Sequence, residues 1–202
     1  MMDGSCSVTV DPRIRRTRLL LQEALGNLLT HKEFDQISVH DIAEAATVNR
    51  ATFYDHYPDK FALLECMVGQ RFADLLAARG VTFDGGCGFA LRAMALGVCD
   101  YLAAMPRLEC ERQIQMEPHM EAAVIAVVRG MLLSGMKKHP AANAVPPEMV
   151  ASTLSWAIFG AAKEWLRTAE RCPSDAVVDR IMLLVSPVFA AAYAGTSSAL
   201  EH

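Results

Sequence analysis

The chain has 202 residues, 52% hydrophobic and 21% charged, with a formal net charge of −4; this is a globular composition with ample material for a core. Its longest apolar runs are broken by Arg, Lys, Glu or Gly short of the roughly 18–20 residues a membrane span needs, and the opening MMDGSCSVTVDPR lacks the apolar centre of a secretion signal, so the expectation is a cytoplasmic protein with no membrane partner. Six cysteines (Cys6, Cys66, Cys87, Cys99, Cys110, Cys172) stand scattered with no C-x-x-C pair, against both a zinc site and a disulfide framework.

Leu, Ala and Met dominate the apolar residues and sustained two-residue alternation is absent, so the pattern is all-α. Asp11 and Pro12 read as the N-cap and first residue of a helix whose face is Ile14, Thr17, Leu21, Ala24, Leu25 and Leu28, running to about His31. Ser38 with Asp41 three positions on is a capping box for a helix carrying Ile42, Ala43 and Ala46, which stops at Thr47-Val48-Asn49. Asn49 caps a third helix from Arg50 to about His56, and Tyr57-Pro58-Asp59 breaks the chain before the next. Longer helices follow: about Asp59 to Arg79, Phe89 to Met105, Arg107 to Glu117, Pro118 to His139, Pro147 to Ala169 and Ser174 to Ala194. The organisation is an all-α chain of about nine helices, with a three-helix helix-turn-helix head at 11–60 and a larger helical ligand-binding and dimerisation body at 61–195.

The third helix is too short to stand alone in water, yet it is dense in polar and aromatic groups. At about 100° per residue, Phe53 and Tyr57 fall on one side, Ala51, Thr52 and Asp55 point away, and Arg50, Tyr54 and His56 flank them. A short helix, a tight turn and a second short helix can place that second helix in a major groove about 12 Å wide. There Ala51 permits close approach, Arg50 can donate two hydrogen bonds to guanine, and Thr52 can meet a thymine methyl or a phosphate. Tyr54, His56 and Lys60 can donate to phosphate oxygens.

The run TRLLLQEALGNLLTHKEFDQISVHDIAEAATVNRATFYDHYPDKFALL, Thr17 to Leu64, resembles the N-terminal DNA-binding region of the TetR family of bacterial regulators. It is closest to the branch with a K-x-F segment before helix two and an N-R-x-T-F-Y-x-H-F-x-D-K run. The resemblance implies that Ser38, Arg50, Ala51, Thr52, Tyr54, His56 and Lys60 contact double-stranded DNA, and that Ile42, Ala43, Val48 and Phe53 are core. The family usually has Gly where Thr47 stands, because the turn tends to need positive φ; a β-branched residue there would be strained by about 1–3 kcal/mol, so either the turn is adjusted or the head is less stable than its relatives.

Charge weighs against a basic domain: residues 1–60 hold seven Lys or Arg against nine Asp or Glu. The distribution is more favourable, since Arg13, Arg15, Arg16 and Arg18 gather at the start of the first helix, near where a duplex backbone would pass. A solvated helix face is the plainer account of that run.

One head reads only a few base pairs, so operator control needs two at fixed separation. Val150, Leu154, Ala157, Ile158, Ala161 and Trp165 form one apolar stripe, with Gly160 among small residues; Val178, Ile181 and Val185 belong to a second stripe on the last helix. In the TetR family the last two helices of each subunit usually form a four-helix homodimer interface, and these stripes are the candidates for it; the alternative is that they finish the core. The resemblance also implies a ligand-gated repressor released by a small molecule from a pseudo-palindromic operator. The Met-rich middle of the chain would take an apolar effector, and Met94, Cys99, Tyr101 and Met116 are the candidate lining. Cys99 and Cys110 have no neighbouring Lys or His in sequence to make them oxidant sensors.

No H-x-x-x-H or H-E-x-x-H spacing, glycine-rich phosphate loop or G-x-S-x-G occurs. Neither catalysis, nor a metal site, nor a cofactor is expected. A helical adaptor that binds another protein through its exposed stripes is the competing reading.

Overall fold

The computed structural model describes residues 11–84, 88–104, 115–138 and 145–193. Among them are eight α-helices and no strand: α1 (Pro12–Leu28), α2 (Val39–Ala45), α3 (Arg50–His56), α4 (Lys60–Ala78), α5 (Gly88–Ala104), α6 (Glu117–Lys138), α7 (Pro147–Arg167) and α8 (Ser174–Tyr193). A 3-10 turn, Phe34–Gln36, stands before α2, where the sequence gives no helical period. The helix expected over 107–117 lies outside the described residues except at its end, where Gln115 and Met116 form a turn and Glu117 opens α6.

The chain divides into two compact units, the first holding residues 11–67 and 115–119 of the described chain. This unit runs past Lys60 because the opening turns of α4 bury Leu63, Leu64 and Met67 in it. The caps expected from sequence are formed. Asp11 accepts from the Arg13 amide at 2.8 Å, and Ser38 and Asp41 cap each other's backbone N–H at 3.1 and 2.8 Å. Asn49 accepts from the Thr52 amide at 2.7 Å. α2 and α3 have seven residues each and are held by burial: Ile42 and Phe53 are 0% exposed, each contributing about 1.5–3 kcal/mol. Tyr57 is buried too, and its phenol finds polar company in Gln22 Nε2 at 3.3 Å and Cys66 Sγ at 3.5 Å. Burial pushes the Tyr57 phenol up to about 12, so it stays neutral. Phe61 lies edge-on to Phe34 and stacks on His119, whose Nδ1 is 2.5 Å from Glu65 Oε1.

The second unit holds residues 68–84, 88–104, 120–138 and 145–193 of the described chain, and in it α5, α7 and α8 pack on one another. Arg92 of α5 pairs with Asp179 of α8 at 2.9 Å. Arg129 of α6 donates to Ser152 of α7 at 2.9 Å, and Lys163 of α7 pairs with Glu121 of α6. α6 is long and apolar enough to cross a bilayer by length and composition, a property the interrupted apolar runs conceal. Its Val124, Val128 and Leu132 are instead buried in this unit. After α4 the chain returns on Phe83, which is buried against Gly135 of α6 and lies edge-on to Phe189 of α8.

Candidate nucleic-acid interface

α3 is positioned by the buried Phe53 within it and the buried Tyr57 that follows it. Arg50, Ala51, Tyr54 and Asp55 are exposed, while Thr52 and His56 are half-buried. The Arg50 guanidinium lies 6.0 Å from the centre of the Tyr54 ring, and its Nη2 donates to the phenol oxygen at 3.5 Å; one turn of helix separates them, so the tyrosine lays the arginine along the helix surface. The Thr52 hydroxyl donates to Asn49 Oδ1 at 3.0 Å, which leaves its oxygen able to accept. The face is polar, cationic at one end and free of large aliphatic residues.

Two of the sequence-predicted contacts are already engaged within the head. The Ser38 hydroxyl donates to Asp41 Oδ2 at 2.5 Å while accepting from the Asp41 amide. That hydroxyl bond, the Ser38 amide and the nearby Lys32 hold the Asp41 carboxyl well below the usual carboxylate range. Lys60 turns inward, its Nζ donating to the carbonyls of Phe34 at 2.8 Å and Ile37 at 2.9 Å. Burial lowers its affinity for the proton, with the nearby Asp35 acting the other way. Arg13, Arg15, Arg16 and Arg18 are all exposed on the first turns of α1.

The turn between α2 and α3 has the strained geometry foreseen for it. Thr47 has φ 56°, and around it the Val48 amide donates to Ala43 O and the Thr47 amide to Glu44 O, which closes α2 in one residue. Val48, expected in the core, is half-buried.

Of the candidate lining for an effector, Met94 and Cys99 are 0% exposed on α5. Burial pushes the Cys99 thiol up to about 12, which makes it unreactive at neutral pH. Tyr101 is half-buried against Phe72, their ring centres 5.0 Å apart. Met116 is buried but belongs to the first unit, so the structure does not gather the four around one space within either unit. Cys110 lies outside the described residues.

The stripes read as a dimer interface are mostly used inside the subunit. Val150, Leu154, Ile158, Val178, Ile181 and Val185 are at most 4% exposed, because α5, α7 and α8 cover one another along them. Ala161 and Trp165 are half-buried, the latter donating from Nε1 to Cys172 O at 3.0 Å, and of the named residues Ala157 alone is exposed. Sequence reasoning missed the residues that are bare: Met149 and Trp156 on α7, each 60% exposed, and Leu183 and Leu184 on α8, 78% and 68% exposed. Trp156 is the signal that could have found them, a large aromatic that falls off the buried stripe.

Residues 22–67 match the sequence profile of a family described as bacterial regulatory proteins, tetR family. Over 68 residues, 33% of this chain, it is 38% identical to an uncharacterized HTH-type transcriptional regulator, YxbF, of Bacillus subtilis (strain 168); the aligned stretch spans 18% of that relative's length. The fold is similar to that of RolR, a protein whose crystal structure contains the ligand resorcinol: 16% identity, 94% of this chain and 97% of that one, TM-score 0.51. A TetR transcriptional regulator from Streptococcus agalactiae 2603V is also similar, at 19% identity over 87% of this chain and 96% of that one, with a TM-score of 0.47. The matched segment is the head built above, from α1 to the buried opening turns of α4, and over it the chain is similar to the bacterial regulatory proteins of the tetR family.

Proposed function

We propose that the chain acts in the cytoplasm as a DNA-binding transcriptional repressor, holding a pseudo-palindromic operator as a homodimer and released by a small apolar effector. The observation that carries this reading is α3: a short helix anchored by Phe53 and the following Tyr57, with Arg50, Ala51 and Tyr54 exposed and Thr52 and His56 half-buried beside them. Arg50 reads a base edge, Tyr54 and His56 reach phosphate, and Ser38 at the start of α2 meets the backbone beside them. The exposed arginines of α1 add long-range attraction on a head whose overall charge is not basic.

A second copy is the occupant proposed for the bare side of α7 and α8. Met149, Trp156, Leu183 and Leu184 are large apolar groups left in water, and a Cβ added at Gly160 on α7 would meet nothing within 4 Å, which leaves room for another helix to approach closely. The effector reading is supported by the apolar interior of the second unit, where α5 buries Ala90, Leu91, Met94, Ala95, Val98 and Cys99.

The test is to select duplexes from a random pool with the purified protein and follow their affinity against salt. Selection of an inverted repeat, with affinity falling steeply as salt rises, is the expected result. No salt-dependent affinity for any duplex would instead favour a protein-binding adaptor working through the same bare α7 and α8 residues.

A further inference from the structure

Lys60 opens α4, and its side chain runs back beneath the turn that precedes α2. Its Nζ donates to Phe34 O at 2.8 Å, Ile37 O at 2.9 Å and Asp35 O at 3.4 Å. The same nitrogen lies 4.5 Å from the centre of the Phe34 ring and 5.7 Å from that of Phe61. An ammonium has three N–H donors and no acceptor. Here three carbonyls converge on it, and two aromatic faces cover what they leave. The carbonyls belong to the 3-10 turn Phe34–Gln36 and to Ile37 after it, the segment that delivers the chain to Ser38, the N-cap of α2. Phe34 and Ile37 are each 1% exposed, so this segment is set into the core of the head, and its carbonyls need a donor.

We propose that Lys60 is a positioning residue, whose ammonium fixes the Phe34–Ile37 turn and with it the start of α2, and that it is not one of the groups that reach phosphate. To contact a phosphate it would have to abandon three carbonyls at once, leaving Phe34 O with the Ile37 amide at 3.1 Å. The resemblance to the family places this lysine among the DNA contacts; the geometry of this chain gives it another task. The second half of the proposal rests on the DNA-binding reading above, whereas the first half does not.

Lys60→Met keeps the aliphatic stem between the two rings and removes the donors. Lys60→Arg keeps the charge, but a planar guanidinium cannot aim at three converging carbonyls. Without DNA, hydrogen exchange at the Ser38–Ala46 amides should quicken roughly tenfold or more in both variants, the loss expected for bonds to a charged donor. On a duplex selected by the wild-type protein, both variants should weaken, with the slope of log affinity against log salt unchanged. A phosphate contact would instead lower that slope by about 0.9 in Lys60→Met, weaken an unrelated duplex equally, and be largely restored in Lys60→Arg; that outcome, or unchanged exchange, overturns the proposal. Should the variants not fold, the wild type decides through the 15N resonance of the Lys60 ammonium, which is expected to be in slow exchange and unmoved by added duplex. A shift on binding would overturn the assignment. Quickened exchange from a protein that selects no duplex would leave the clamp standing and remove the DNA-binding reading alone.

Discussion

Thr47 and Gly80 hold the same place in the same backbone arrangement, one closing α2 and the other closing α4. At each, the second residue past the helix takes positive φ, 56° and 65° respectively. The next amide then reaches back: Val48 N to Ala43 O at 2.9 Å, and Val81 N to Leu76 O at 3.0 Å. Glycine adopts that φ freely, whereas threonine bears a steric cost. Thr47→Gly should therefore stabilise the head by about 1 kcal/mol, the relief of strain being partly offset by the freer unfolded chain. Slower hydrogen exchange at the α2 amides is the readout, and an unchanged or faster rate would show that the turn carries no strain.

Asp41 is expected to make the head acid-sensitive. Its carboxyl is held far down by the Ser38 hydroxyl first, then by the Ser38 amide and Lys32, so its folded value lies below its unfolded one. The sign follows: the contribution is complete above the ordinary value of 3.8 and is lost as pH falls below it. Stability of the wild type and of Asp41→Asn, measured from pH 7 down to pH 2, should differ most at neutrality and converge in acid. Parallel curves would mean that the box stabilises through its geometry alone.

On α3, Tyr54→Phe should weaken all duplexes about equally, because the lost hydroxyl is the one proposed to reach phosphate. Arg50→Ala should instead relax preference at one base pair, with a loss of about 1–3 kcal/mol there and little elsewhere. A panel of single-base operator variants separates the two, and an even loss for both substitutions would refute the division.

Two glycines of α6 are predicted to respond in opposite directions. A Cβ at Gly135 would stand 2.3 Å from Phe83 Cδ1 and 2.7 Å from the Phe83 carbonyl oxygen, whereas one at Gly130 would meet nothing within 4 Å. The ring could turn aside but the carbonyl cannot, so Gly135→Ala should destabilise by about 1–3 kcal/mol. Gly130→Ala should stabilise by about 0.5–1 kcal/mol through helix propensity. Denaturant midpoints of the two variants against the wild type check both.

Trp156→Glu and Ala157→Glu should yield monomers by sedimentation with the fold intact. Leu154→Ala, at 0% exposure, should cost about 2–5 kcal/mol of stability and leave the association state of the folded fraction unchanged. Dimers persisting in both charged variants would move the seam elsewhere.

The head was legible in the sequence because its signals are local. Asp11, Ser38 and Asn49 each cap the helix that follows, and most of the four-residue break between α2 and α3 is visible as Thr47-Val48-Asn49. The 3-10 turn at Phe34 was not legible, since three residues carry no periodicity, and Lys60 gave no sign that its partners lie at Phe34 and Ile37. What covers the faces of α7 and α8 was not legible for a different reason. A wheel shows that Val150, Leu154 and Ile158 share a side, but not whether the surface opposite them belongs to the same chain or to another. Periodicity locates an apolar face; only the tertiary arrangement says what covers it.

Along α7 the buried and bare residues interleave within single turns, Ser155 at 0% exposure beside Trp156 at 60%. The two faces can therefore diverge separately over evolutionary time. With the proposed seam at Met149, Trp156, Leu183 and Leu184, a duplicated gene could exchange those residues and lose the ability to mix with its parent, while Leu154, Ile158 and Ile181 went on specifying the same subunit. Paralogues that descend from such a chain could then occupy one cell without forming hybrids.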